Sequence, residues 1–182
     1  MRIGIMLGAD RAAATVEGVA SMAVRAEKAG LDSVWMAHIR TLDAISALTV
    51  AATRTKRIEL GPAVTPIYPR HPMALAQQAL TAQQVAGGRF TLGVGVSHRV
   101  VVENMLGMSY AKPAEYMREY LGALLPLLQG EVVHYDSPRF TVHGLQLDVK
   151  GASDVPVILA ALGPVMLRLA GAHTQGTTTW MV

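Results

Sequence analysis

The stretch IELGPAVTPIYPRHPMALAQQALTAQQVAGGRFTLGVG, from Ile58 to Gly95, constrains the fold more than any other part of the chain. It reads as a strand, a Pro-rich polar loop, a helix, a Gly-Gly stop and a second strand. Leu75, Ala79, Ala82 and Ala86 recur at helical spacing, Pro72 suits the first helical turn, and Gly87-Gly88 ends the run. Two strands joined by one helix form the parallel βαβ unit. The loop after the first strand carries Thr65, Tyr68, Arg70 and His71. In α/β barrels the chemistry sits on such loops, beyond the carboxyl ends of the strands.

The same alternation runs through the rest of the chain. Strands are expected at 2–7, 33–37, 58–65, 90–96, 155–160 and from 177 to 180. Thr15 can cap a helix that Gly30 stops, Asp43 opens a second through Thr53, and further helices are expected at 113–128 and 164–170. Pro126 has no N–H for the Gly122 carbonyl, so a kink or break is expected there. Residues 132–135 and 139–142, around Asp136-Ser137-Pro138, read as a small hairpin. The fold class is α/β, of the TIM (β/α)8-barrel type, with about six of its eight strands. A barrel of that size takes about 250 residues, against 182 here. Residues 1–182 are therefore expected to form a single barrel domain, incomplete at its C-terminus, with a gap between the first and sixth strands. A doubly wound open sheet is the alternative, but no Gly-x-Gly-x-x-Gly follows the first strand.

Composition removes several function classes. Hydrophobic residues make up 51% and charged residues 16%, the balance of a heavily buried globular chain. No apolar run reaches the roughly 18 residues of a membrane span, and the N-terminus lacks the form of a signal peptide. A cytoplasmic location is the default. With no cysteine, disulfides and thiolate metal sites are impossible. The six His residues show no metal-ligand spacing, so no metal is expected. A formal charge of +3, 5% aromatics and no Lys/Arg run give no basis for nucleic-acid binding. No nucleophile elbow is present, and no paired carboxylates stand at the strand ends. Any chemistry would rest on an organic cofactor, with the protein supplying position and electrostatics.

Four places offer residues for such a role. His38 follows the second strand and reads either as a loop histidine or as a proton carrier at a barrel mouth. Ala63-Val64 ends the third strand and reads by pattern as small core residues; Arg70 and His71 read equally as helix-start residues. Gly95, Ser97 and His98 end the fourth strand, as a plain turn or as a place where a ligand approaches the backbone. Gly163-Pro164-Val165-Met166 opens a helix after the fifth strand, where free N–H groups favour an anion, although Gly-Pro also starts helices that bind nothing.

The wording of these motifs resembles the luciferase-like monooxygenase superfamily, and within it the coenzyme F420-dependent oxidoreductases. The resemblance lies in Gly-Pro-Ala-Val-Thr, Arg-His-Pro, the Gln- and Ala-rich helix, Gly-Gly-Arg and the Gly-rich strand after it. It implies the barrel fold and hydride transfer between F420 and an unidentified small organic substrate. It implies a cis peptide bulge at Ala63-Val64 that buttresses the deazaflavin ring, with Thr65 and Tyr68 as ring-edge or substrate contacts. It gives His38 a catalytic role near the reactive carbon, although Ala37 stands where the family has Asp. It assigns the ring edge or tail to Gly95, Ser97 and His98, where the family often has Gly-Glu, and the phosphate to Gly163, Val165 and Met166. The basic excess suits the polyglutamate tail of F420, and equally any phosphate. FMN is the alternative cofactor, in a monooxygenase of the same fold; a truncated, non-catalytic binding fragment is the contrasting class. An open barrel edge makes a homo-oligomer the expected state.

Overall fold

The computed structural model describes residues 1–8, 14–39 and 41–179. Trp180, the expected end of the last strand, lies outside them.

The elements alternate as expected. β1 (Gly4–Leu7), α1 (Val16–Lys28), β2 (Ser33–Met36) and α2 (Ala44–Thr53) come first. β3 (Glu59–Pro62), β4 (Thr65–Pro66), α3 (Pro72–Ala86) and β5 (Leu92–Gly95) follow, then α4 (Pro113–Leu128). A hairpin of β6 (Val133–Asp136) and β7 (Thr141–Leu145) precedes β8 (Val157–Ala160), α5 (Pro164–His173) and β9 (Gly176–Thr178).

Local chemistry sets the helix ends. Thr15 Oγ1 accepts from Gly18 N at 3.0 Å, and Asp43 Oδ1 accepts from Ser46 N at 2.8 Å. At α3 the cap is His71, whose Nδ1 accepts from Met73 N at 3.2 Å, while Gly87 closes the helix in the left-handed region. The capping reading of His71 therefore holds. α4 runs without a break through Pro126 to Leu128, where a kink or break was expected. Proline there removes only a donor to Gly122 in the final turn, so little ladder remains to be lost.

All the barrel strands are parallel. β1 pairs with β2 and β2 with β3; β4 pairs with β5, β5 with β8 and β8 with β9. β3 and β4 are two halves of one strand interrupted at Ala63 and Val64, and a bridge from Leu60 to Phe90 ties the two sheets together. Strand neighbours thus follow chain order, and each helix packs on the next, α1 on α2 through α4 on α5. A doubly wound sheet would divide consecutive helices between two faces; here each packs on the next in one continuous row, the arrangement of a (β/α) barrel. Among the described residues β1 pairs only with β2 and β9 only with β8. Met6 on β1 and Ile3 before it are about half exposed.

Alanine-rich faces let the helices approach the strands. Ala44, Ala47, Ala51 and Ala52 of α2 and Ala76, Ala79, Ala82 and Ala86 of α3 are all buried. Two charged residues fix the amino-terminal side of β3. Glu27 accepts from the backbone N–H groups of Lys56, Arg57 and Ile58. Burial raises its carboxyl, and those donors outweigh it, so the group sits below its ordinary value. Arg89, of the Gly-Gly-Arg motif, donates to the carbonyls of Ala52, Thr55 and Ile58 and to Thr55 Oγ1. Its role is structural. No helix among the described residues is long and apolar enough to cross a membrane.

Candidate active site

The interruption between β3 and β4 lies at the carboxyl end of the strands. The Ala63–Val64 peptide is cis, as the resemblance implies. Both residues are half-buried. Val64 rests on β5: a Cβ placed at Gly95 would lie 2.5 Å from Val64 Cγ2 and 3.1 Å from Ala160 Cβ. A Cβ at Gly93 would run into the Pro62 carbonyl oxygen and lie 3.1 Å from Val64 Cγ1. The two glycines make room for the bulge. The space beside Gly95 therefore belongs to Val64, where the sequence suggested close approach of a ligand.

Thr65, the next residue, is fully buried, and its Oγ1 lies 3.2 Å from Nδ1 of His38. His38 comes from the loop after β2, and its side chain is only 7% exposed. Its Nε2 stands 3.0 Å from Arg70 Nη2 and 3.2 Å from Asp43 Oδ2. Arg70 closes the set: Nη2 donates to Asp43 Oδ2 at 3.1 Å and Nη1 to the Pro66 carbonyl at 3.2 Å. Burial pushes the imidazole below its ordinary value, the Arg70 guanidinium pushes it further, and Asp43 opposes both. Burial also raises the Asp43 carboxyl, but the Ser46 N–H, His38 and Arg70 bring it below the ordinary carboxylate range. His38 therefore stands beside an Arg70–Asp43 ion pair.

Sequence reasoning found His38 and Thr65 but not this network. Asp43 was legible only as a helix cap, and Arg70 only as a helix-start residue. Asp43, the cap residue of α2, brings a carboxylate to His38.

Tyr68 is not an open contact residue. It is 3% exposed, stacked on Tyr116 at 4.2 Å and on Tyr110 at 5.7 Å between ring centroids. Phe140 of the hairpin meets Tyr116 and Tyr120 edge-on. Glu119 of α4 pairs with Arg139. The hairpin and the long loop after β5 thus lock onto α4 through an aromatic cluster. Burial pushes the Tyr68 phenol up to about 12, and its hydroxyl has no hydrogen-bond partner among the described residues.

The remaining candidates lie after β5 and β8. Ser97 adopts the left-handed region at φ 60°, with its carbonyl taking the Tyr110 hydroxyl at 3.0 Å. His98 is exposed, and its carbonyl opens the π-helical turn Val101–Met105. Gly163 caps α5 with no side-chain bond, and a Cβ there would meet nothing within 4 Å. Gly163 and Val165 are exposed and Met166 half-buried, so the helix start is open to an anion. The fold brings Ala63, Val64, Thr65, Gly95 and His38 together. It sets Gly163, Val165 and Met166 two strands away, at the start of α5 beyond the carboxyl end of β8. No group of His, Asp and Glu residues among the described ones could hold a metal.

Comparison with known proteins places this arrangement. The family model described as luciferase-like monooxygenase matches residues 1–182. The 5,10-methylenetetrahydromethanopterin reductase of Archaeoglobus fulgidus is 36% identical over 152 residues, which are 83% of this chain and 45% of the reductase. The coenzyme F420-dependent tetrahydromethanopterin reductase of Methanopyrus kandleri superposes with a TM-score of 0.84 at 27% identity, over 98% of this chain and 55% of that one. The oxygenating constituent of 3,6-diketocamphane monooxygenase from Pseudomonas putida, in complex with FMN, has the same fold, with a TM-score of 0.79 at 20% identity over 97% and 57%. The chain spans about half the length of the relatives it matches.

Proposed function

The chain belongs to the luciferase-like monooxygenase family, and from that premise we propose that it is an oxidoreductase serving hydride transfer between coenzyme F420 and a small organic substrate. The observation that carries this reading is the half-exposed Ala63–Val64 bulge, seated on Gly93 and Gly95 at the carboxyl edge of the strands. Its two small side chains suit the face of a planar ring. The uncapped start of α5 suits the phosphate, through the N–H groups of Gly163, Val165 and Met166. Two similar reductases act on methanopterin substrates, one of them named as F420-dependent.

The deazaflavin, when bound, supplies the hydride chemistry. The protein's own residues position it and govern a proton. Ala63 and Val64 form a flat backing, Gly163 opens the anion end, and His38, held by the buried Thr65, stands beside the bulge to hold or move a proton. Ser97 and His98 border the site from β5. FMN is the second reading, favoured by the likeness of the fold to the FMN-bound camphane monooxygenase. Self-association belongs to the same proposal, since the β1 edge leaves Ile3 and Met6 half exposed; light scattering should find more than one copy.

Fluorescence titration of the purified protein with F420 and, separately, with FMN tests the reading. F420 should bind at least tenfold more tightly, a difference of about 1.4 kcal/mol. Preference for FMN would favour the monooxygenase reading, and no binding of either would leave a non-catalytic fragment.

A further inference from the structure

Nε2 of His38 has two neighbours of opposite demand. Arg70 Nη2, 3.0 Å away, can only donate; the ionised Asp43 Oδ2, 3.2 Å away, can only accept. One imidazole nitrogen cannot serve both. Arg70 settles the conflict, because Nη2 carries two hydrogens. One goes to Asp43 Oδ2 at 3.1 Å, the other to His38 Nε2, while Nη1 serves the Pro66 carbonyl. Asp43 Oδ1 is already taken by Ser46 N. Every group is satisfied when Nε2 presents its lone pair.

We propose that Arg70 is a positioning residue that fixes His38 in the tautomer carrying its hydrogen on Nδ1, so that His38 donates to Thr65 alone. In the other tautomer an N–H of His38 would face an N–H of Arg70 at 3.0 Å, and one guanidinium hydrogen would lose its acceptor. Thr65 Oγ1, on a fully buried residue, accepts from Nδ1 at 3.2 Å. The tautomer does not rest on the cofactor reading above. The charged groups facing His38 are Asp43 from the start of α2 and Arg70 from the loop between β4 and α3, and Thr65 on β4 is neutral. Burial and Arg70 both favour the uncharged ring.

Long-range proton–nitrogen correlation spectra of the protein labelled with nitrogen-15 histidine test this directly. The His38 signals are identified by their loss in His38→Gln. In the unaltered protein at neutral pH they should report the Nδ1–H tautomer. In Arg70→Met, Asp43 is left as the only partner of Nε2; the hydrogen should move to Nε2 and the titration midpoint should rise. In Asp43→Asn the tautomer should stay and the midpoint should fall. An Nε2–H tautomer or an imidazolium in the unaltered protein would overturn the proposal, as would an unchanged tautomer in folded Arg70→Met. If Arg70→Met does not fold, the unaltered protein and Asp43→Asn still decide. No cofactor enters these spectra, so their outcome and that of the F420 titration are read independently.

Discussion

Asp43 Oδ2 lies 3.2 Å from Nε2 of His38, while Oδ1 of the same carboxylate caps α2 at 2.8 Å. One side chain thus joins helix capping to the candidate proton donor. The two tasks separate by substitution. Asp43→Asn retains a capping oxygen but loses the charge and turns the Oδ2 acceptor of Arg70 into an NH2 group. Asp43→Ala loses the cap and also leaves Arg70 without its carboxylate. Denaturant unfolding should show Asp43→Ala destabilised by roughly 1–3 kcal/mol and Asp43→Asn by less than half as much. Equal losses would mean that the cap contributes little.

His38 gives stability a pH dependence of definite sign. Its folded value lies below the ordinary 6.5, with burial the largest cause and Arg70 the next. Just below 6.5 the unfolded chain binds more protons than the folded one, so stability falls as pH drops through that window and is fully present above it. Unfolding curves recorded on either side of 6.5 should show this slope. His38→Gln should remove that part of it; an unaltered slope in the variant would place the titration elsewhere.

Much of this was legible in the sequence, for local reasons. Thr15, Asp43, Pro72 and Gly87 act on backbone groups within a turn of themselves, and they sit at the helix ends where their chemistry puts them. The strand order followed from the alternation of strands and helices. The residues that the fold gathers at the candidate site were singled out in the sequence at His38, Ala63, Val64 and Thr65. The roles of Asp43 and Arg70 were not legible, because each also has a local use that accounts for it. Tyr68 was misread because its stacking partners, Tyr110 and Tyr116, come from a distant loop and α4. Gly95 was read as a place for a ligand because a missing side chain does not reveal what fills the space.

The glycines under the bulge are expected to respond differently to alanine. At Gly95 the new Cβ meets a side chain, Val64 Cγ2, at 2.5 Å. At Gly93 it meets the Pro62 backbone. Gly95→Ala should cost about 1–3 kcal/mol, the range for overpacking, and Val64→Ala added to it should recover part of that loss. Gly93→Ala should cost more and gain nothing from Val64→Ala. Thermal unfolding of the single and double variants checks this; a Gly95→Ala/Val64→Ala protein no more stable than Gly95→Ala would place the clash elsewhere.

The central claim is that Ala63 and Val64 back the ring of a bound deazaflavin. Ala63→Trp puts an indole into the space where that ring would lie, on a half-exposed position where the extra bulk need not enter the core. The most direct test is the affinity of F420 for the unaltered protein and for folded Ala63→Trp, measured by fluorescence titration. The account requires binding to the unaltered protein and a loss of at least tenfold in the variant, about 1.4 kcal/mol. Equal affinity for the two proteins would contradict it.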